Sequence, residues 1–134
     1  MTLQFHVTVR NAMLDAWETQ IGTSPTLKIR TGARPAAITD PSTGTVLSTV
    51  ALPSDFMAAA SAGVKDMSGT WQDNSADASG TAEHFEIVDS GGTVRVRGTV
   101  TATGGGGDLT VNNVVFASGQ TFSITQFRLT AGNQ

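Results

Sequence analysis

The chain has no cysteine. That excludes disulfides, a thiolate metal site and a cysteine nucleophile, and nothing in it calls for an oxidising compartment. Charge is also scarce. Asp, Glu, Lys and Arg make up 14 % of the residues and the formal net charge is −3, against roughly 25 % charged residues in an average globular protein. Lys28 and Lys65 are the only lysines, and no basic cluster exists of the kind that holds a phosphate backbone. Nucleic acid is therefore not an expected partner. No apolar run approaches the roughly 20 residues of a membrane-spanning helix, so no membrane partner is expected either. The start, Met1-Thr-Leu-Gln-Phe-His6, lacks a basic segment followed by an apolar one. No signal peptide is read there, and synthesis in the cytoplasm is the expectation.

What is present is threonine, glycine, alanine and valine in β-like order. Thr93-Val-Arg-Val-Arg-Gly-Thr-Val-Thr-Ala-Thr103 alternates Val94, Val96, Val100 and Ala102 with Thr93, Arg95, Arg97, Thr99, Thr101 and Thr103. A period of two over that length predicts a strand with one buried and one wet face. Gly104-Gly-Gly-Gly107 then reads as a flexible turn before β-structure resumes at Leu109. At 134 residues the chain is one domain, residues 1–134, long enough to bury a core without staples.

One helix is predicted, over residues 8–21. Val9, Ala12, Met13, Ala16, Trp17 and Ile21 recur at helical spacing as its inward face, Gly22 ends it and Pro25 blocks continuation. Leu3, Phe5 and Val7 alternate ahead of it as an extended arm. Strands are expected around Leu27–Arg30, Thr45–Leu52, Val64–Gln72, Glu83–Val88, Leu109–Phe116 and Thr121–Leu129, with a bulge near Thr125-Gln126 that returns Phe127 to the face of Phe122 and Ile124. Phe56–Ala60 is expected to be irregular or a very short helix. The expected fold class is mainly β: a β-sandwich of seven or eight short antiparallel strands, with jelly-roll connections as one option, plus the N-terminal amphipathic helix.

The residues that can carry chemistry are few. His6 and His84 have no zinc-motif spacing. No nucleophile elbow occurs. The glycine run lacks the lysine and following helix of a phosphate loop. Asp73, Asn74 and Asp77 have no calcium-loop pattern. No catalytic residue, cofactor or metal site is expected. Contacts suit the chain better: the arm residues Leu3, Phe5 and Val7 for strand addition to a neighbour, and the row Arg95, Arg97, Thr99 and Thr101 as a flat docking face. Two other readings are a sugar-binding platform on Trp71 with the Asp73–Gly80 loop, and a small hydrolase using His84 with Glu83 or Glu86.

Four stretches carry a resemblance: Arg10-Asn-Ala-Met-Leu-Asp-Ala-Trp17 continuing to Gly32, Leu52-Pro-Ser-Asp-Phe-Met-Ala-Ala-Ala60, Ser68-Gly-Thr-Trp-Gln-Asp73, and Gly98-Thr-Val-Thr-Ala-Thr-Gly-Gly-Gly-Gly-Asp108. Together, across nearly the whole chain, they resemble a family of small proteins encoded with the virion structural genes of tailed bacteriophages and prophages. The resemblance implies a non-enzymatic virion component, foremost a capsid decoration or cement protein. It would be a homo-oligomer bound to the major capsid protein or other virion proteins. Neck, collar, tail, or a receptor-binding fibre module are the alternatives.

Overall fold

A computed structural model describes residues 3–131. Helix α1 (Val7–Ile21) is followed by ten strands: β1 (Thr26–Arg30), β2 (Val46–Ala51), β3 (Val64–Asp66), β4 (Gln72–Asp73), β5 (Gly80–Thr81), β6 (His84–Val88), β7 (Val94–Ala102), β8 (Leu109–Val111), β9 (Val115–Phe116) and β10 (Phe122–Thr130). Eight of them form one mixed sheet in the order β2-β1-β6-β7-β8-β10-β3, with β4 also on β10. β5 and β9 pair separately. The fold is mainly β with one N-terminal helix, as expected. The ladders join eight of the strands into one large mixed sheet, and they do not close into a barrel.

The sheet curls around a single core. Its ends approach where the Ser48 hydroxyl of β2 donates to Asp73 of β4 at 2.6 Å and the Asp77 amide donates to the Leu47 carbonyl at 2.8 Å. Leu27, Ile29, Leu47, Phe85, Ile87, Leu109, Val111 and Phe127 from along the path share one apolar cluster. Phe127 sits at its aromatic centre, 5.6 Å from the rings of Trp71 and Phe85 and 6.0 Å from Trp17. The register of β10 against β8 shifts between Ile124 and Gln126. This is the expected bulge, and it lets Phe122, Ile124 and Phe127 all be buried.

Three details depart from expectation. In β2, where alternation puts Val46, Val50 and Leu52 on one inward face, the register slips opposite Ile29 and Arg30, so Leu47 and Ser48 are both buried while Val46 is only half-buried. An alternating pattern cannot announce an extra residue on one strand. Secondly, β7 and β8 pair parallel, with Val100 opposite Leu109, although all pairs were expected to be antiparallel. Thirdly, the arm ahead of the helix does not extend to Val7. Residues 3–6 are irregular and Val7 already belongs to α1. The His6 ring accepts from the Thr8 amide at 3.3 Å as the N-cap, which satisfies one of the free amides at a helix start.

Candidate functional site

Strand β6 is buried at all five positions. Phe85 and Ile87 face the core, so His84 and Glu86 must be covered from the other side. The cover is the segment 31–45, and Glu86 holds it. Its Oε1 accepts from Arg30 Nε at 2.9 Å. Its Oε2 accepts from the Ser42 hydroxyl at 2.8 Å and from Arg97 Nε at 3.3 Å. Arg97 also donates to the carbonyls of Ala37 at 3.0 Å and Ile38 at 3.1 Å, and Arg30 donates to that of Gly44 at 3.2 Å. Burial pushes the Glu86 carboxyl up. The Ser42 hydroxyl and the two guanidinium groups outweigh burial and leave the carboxyl below its ordinary range. A carboxylate held this way straps a loop to the sheet.

Arg97 is thus 2 % exposed at its side chain and is not on the wet face that the alternation implied. Arg95 pairs with Asp89 at 2.7 Å and keeps 44 % side-chain exposure. Asp89 itself ties the hairpin turn, accepting from the amides of Gly91 and Thr93 at 3.0 Å and 2.9 Å.

Thr99 and Thr101 are occupied by the glycine loop. Asp108 accepts from the Thr99 amide at 2.9 Å and its hydroxyl at 3.0 Å. The Gly107 amide donates to the Thr101 hydroxyl at 3.0 Å. The loop therefore lies back on the strand it leaves, and this close return permits the parallel pairing of β7 and β8. Parallel neighbours otherwise need a crossover of about a dozen residues. Gly104 and Gly106 have φ of 86° and 82°, a backbone region that glycine enters freely. At Gly105 and Gly107 space decides: a Cβ would lie 2.7 Å and 2.9 Å from Thr101. The loop borders an open groove of about 420 Å³, lined by Gly106, Asp108, Thr110, Gln126 and Arg128 among others. The Arg128 guanidinium there is paired with Asp66 at 2.6 Å.

The remaining sequence candidates are spread apart. His84 is fully buried. Its Nδ1 lies 2.6 Å from the Gly32 carbonyl, and no partner for Nε2 is found among the described residues. Glu83 is exposed. Trp71 is 1 % exposed and its Nε1 donates to the Ser68 carbonyl at 3.1 Å, so the ring has no face for a sugar. Asp73 accepts from Ser48 and from the Ser75 amide, and Asp77 accepts from Thr49 at 2.9 Å. Among the described residues, no group of three His, Cys, Asp or Glu side chains is placed to hold a metal ion.

Of the six exposed large apolar side chains among the described residues, Ile38 and Val115 stand in loop 31–45 and strand β9 and the other four lie at the N-terminal end. Leu3 is 61 % exposed, Phe5 39 %, Val9 45 % and Met13 51 %, while Val7 is half-buried. Helix α1 docks through Leu14, Trp17 and Ile21 and through a set of polar contacts. Lys65, 1 % exposed, donates to Asp15 at 2.7 Å and lies 2.8 Å from Glu18. Burial pushes the Lys65 ammonium down, and the two carboxylates outweigh it and hold it above its ordinary value. Asp15 is held low by Lys65 and by the Ala60 amide. Asn11 accepts from the Gly63 amide at 2.9 Å. No sequence signal identified this clamp, because its lysine is distant in the chain. No protein-family model, no curated protein and no solved structure matches this chain.

Proposed function

We propose that the protein is a non-enzymatic structural subunit of a bacteriophage particle, a head decoration or cement protein in which the curled sheet serves as a β-sandwich. The family resemblance of the sequence motivates the assignment to a virion. One structural observation supports a contact-making role over a catalytic one. The buried side chains of Lys65, Glu86 and Arg97 are engaged in holding the chain's own loops and helix, while four of the six exposed large apolar side chains among the described residues, Leu3, Phe5, Val9 and Met13, lie in and just before α1, with Ile38 and Val115 elsewhere. A decoration protein works through many modest contacts repeated by symmetry, and multivalency makes them hold.

In this reading Leu3, Phe5 and the exposed side of α1 meet the major capsid protein or a neighbouring subunit, with Arg95 as a polar contact on β7. Arg97, Thr99 and Thr101 serve by keeping the two covering loops in place. Neck, collar and tail positions fit the same surface. The test is copy number in purified particles by quantitative mass spectrometry. A decoration role predicts copies on the scale of the capsid protein. Absence from the particle would refute the assignment. Removing residues 1–5, which leaves the His6 cap in place, is expected to lower occupancy. Unchanged occupancy would take the N-terminal segment out of the contact.

A further inference from the structure

Strand β8 is three residues long, whereas its neighbours β7 and β10 have nine each. Val100 of β7 and Phe127 of β10 both lie level with Leu109, the first residue of β8. Below that level β7 extends back through Arg97 and β10 runs on through Thr130, and among the described residues no strand lies between them. β8 sets its two neighbours about 10 Å apart, twice the usual strand spacing. The line of β8 beyond Leu109 thus opens as a slot one strand wide. The glycine loop leaves that line at Asp108 and lies back on Thr99 and Thr101.

Main-chain groups point into the slot from both walls. The Val100 amide donates to Glu83 on the β6 side, and Phe127 accepts from the Met67 amide on the β3 side. Successive residues of a strand turn their main-chain groups to opposite sides. The β6–β7 register is unbroken from Val96 to Thr99 and the β3–β10 register from Arg128 to Thr130, so Arg97 and Thr130 face the line of β8. The Thr99 amide, next above Arg97 on that side, is taken by the Asp108 carboxylate at 2.9 Å, which closes the top of the slot. The main-chain groups of Arg97 and Thr130 find no such partner among the described residues. Burial falls off at the same level. Val100 and Phe127 are buried, while Val96 and Leu129, on the same core-facing side, are only half-buried. The open groove of about 420 Å³ runs along Gln126, Arg128 and Thr130 beside this opening.

We propose that this slot receives the N-terminal segment of a second copy of the chain as an added strand, with Leu3 and Phe5 turned toward Val96 and Leu129 and Gln4 toward the outer side. The proposal rests on the reading of the protein as an assembly subunit and names where its arm lands. Main-chain donors and acceptors on two walls, with one apolar side, select an extended chain that is apolar at every second position. Met1-Thr-Leu-Gln-Phe5 has that pattern and no charged side chain. It ends at the His6 cap, so it can be drawn out without unwinding α1. The chain's long alternating runs are already strands of its own sheet. In its own chain the segment stays out of the slot: residues 3–6 are irregular and Leu3 is 61 % exposed. Arg10 ties the start of α1 to Ala131, at the foot of the slot. Each copy therefore starts its arm beside its own slot, and two copies exchange arms reciprocally, as a two-fold axis requires. One arm buries far less than the roughly 800 Å² per partner of a standard interface. The exchange is weak and dependent on concentration, and two arms per dimer strengthen it.

Sedimentation equilibrium of the full chain from low-micromolar to millimolar concentration measures the association, and amide hydrogen exchange over the same range locates it. The average mass is expected to rise toward twice the monomer's, with the Arg97 and Thr130 amides gaining protection. Leu3→Gln with Phe5→Gln is expected to weaken the association by about tenfold or more and to leave the far-ultraviolet circular dichroism unchanged, since both residues lie ahead of the helix. The absence of native cysteine makes a third measurement clean. Under mild oxidation, a mixture of Gln4→Cys chains and Thr130→Cys chains should form mixed disulfide dimers much faster than a mixture of Gln4→Cys and Ser118→Cys chains. A chain that stays monomeric, association indifferent to the Leu3 and Phe5 substitutions, or protection that appears away from Arg97 and Thr130 would each overturn the proposal. So would a chain carrying both Gln4→Cys and Thr130→Cys that links only within itself. A monomeric chain that still occupies particles would overturn it and leave the assembly reading standing. A dimer with exchanged arms that is absent from particles would do the reverse.

Discussion

The Gly107 amide donates to the Thr101 hydroxyl at 3.0 Å, across a loop that brings the chain from the end of β7 back along its own flank. That bond belongs to a return so close that glycine is needed at successive positions for alternating reasons. Gly104 and Gly106 supply positive φ. Gly105 and Gly107 supply room against the Thr101 side chain. The loop is a built part of the sheet, and β8 is laid parallel to β7 because of it.

Gly105→Ala is expected to lower stability by about 1–3 kcal/mol, the usual cost of forcing a methyl group into a packed site. Urea denaturation measures this. In a Thr101→Ala background the loss should shrink, because Thr101 Cβ and Oγ1 are among the atoms the new methyl group meets. Additive losses in the double-mutant cycle would show that the crowding is not at Thr101.

Glu86→Gln should cost about 3–5 kcal/mol, because it leaves two guanidinium groups facing a neutral partner in a buried site. Limited proteolysis within residues 31–45 is the local readout, and faster cleavage there is expected. The pH dependence has a definite sign. The folded carboxyl lies below its unfolded value, so its contribution is complete above the ordinary carboxylate range and is lost as pH falls through the folded value. The wild-type chain should show this acid loss of stability more steeply than Glu86→Gln. Equal slopes would remove Glu86 as the cause.

The clamp under α1 gives an alkaline counterpart. Lys65 is held above its ordinary value, so its contribution is present below the unfolded pKa and is lost as pH rises through the folded one. With Asp15→Asn and Glu18→Gln together, burial acts alone and the folded value falls below the unfolded value. Stability of that variant should then rise with pH through the alkaline range, opposite to the wild type. Chemical denaturation at several pH values distinguishes the two slopes, and parallel curves would refute the clamp.

Phe127→Ala should cost about 3–5 kcal/mol, since Phe127 fills the space between Trp17, Trp71 and Phe85. Tryptophan emission is the second readout. Trp71, 1 % exposed in the intact chain, should resist acrylamide quenching, and the cavity left at residue 127 should increase its accessibility.

The bulge at Thr125 was legible in the sequence because Phe122, Ile124 and Phe127 cannot otherwise share a face. The end of α1 at Gly22 was legible because glycine there adopts φ 88°. The parallel pairing of β8 was not, since a glycine run specifies freedom to turn and not the direction in which the chain leaves. Nor was the fate of Arg97. Alternation places it on the face away from the core, and only the segment 31–45, folded across that face, makes it buried.

The sequence by itself determined the periodicities: a mainly β chain with one helix, the turns, the apolar rows, and the absence of thiol chemistry. Those follow from local sterics and the spacing of side chains. Tertiary structure decided which face each row turned to. In helix α1 Trp17 and Ile21 face inward as the spacing predicted, but Val9, Ala12, Met13 and Ala16 are exposed and Val7, Arg10, Asn11, Leu14 and Glu18 take the inward places, on the side where the buried Lys65 ammonium, many residues away, finds Asp15 and Glu18. The strand β7 had one wet face by pattern, and two loops covered Arg97 and Thr101 on it because Glu86 and Thr101 offered them bonds. Periodicity names the faces of an element, and only long-range packing assigns their neighbours.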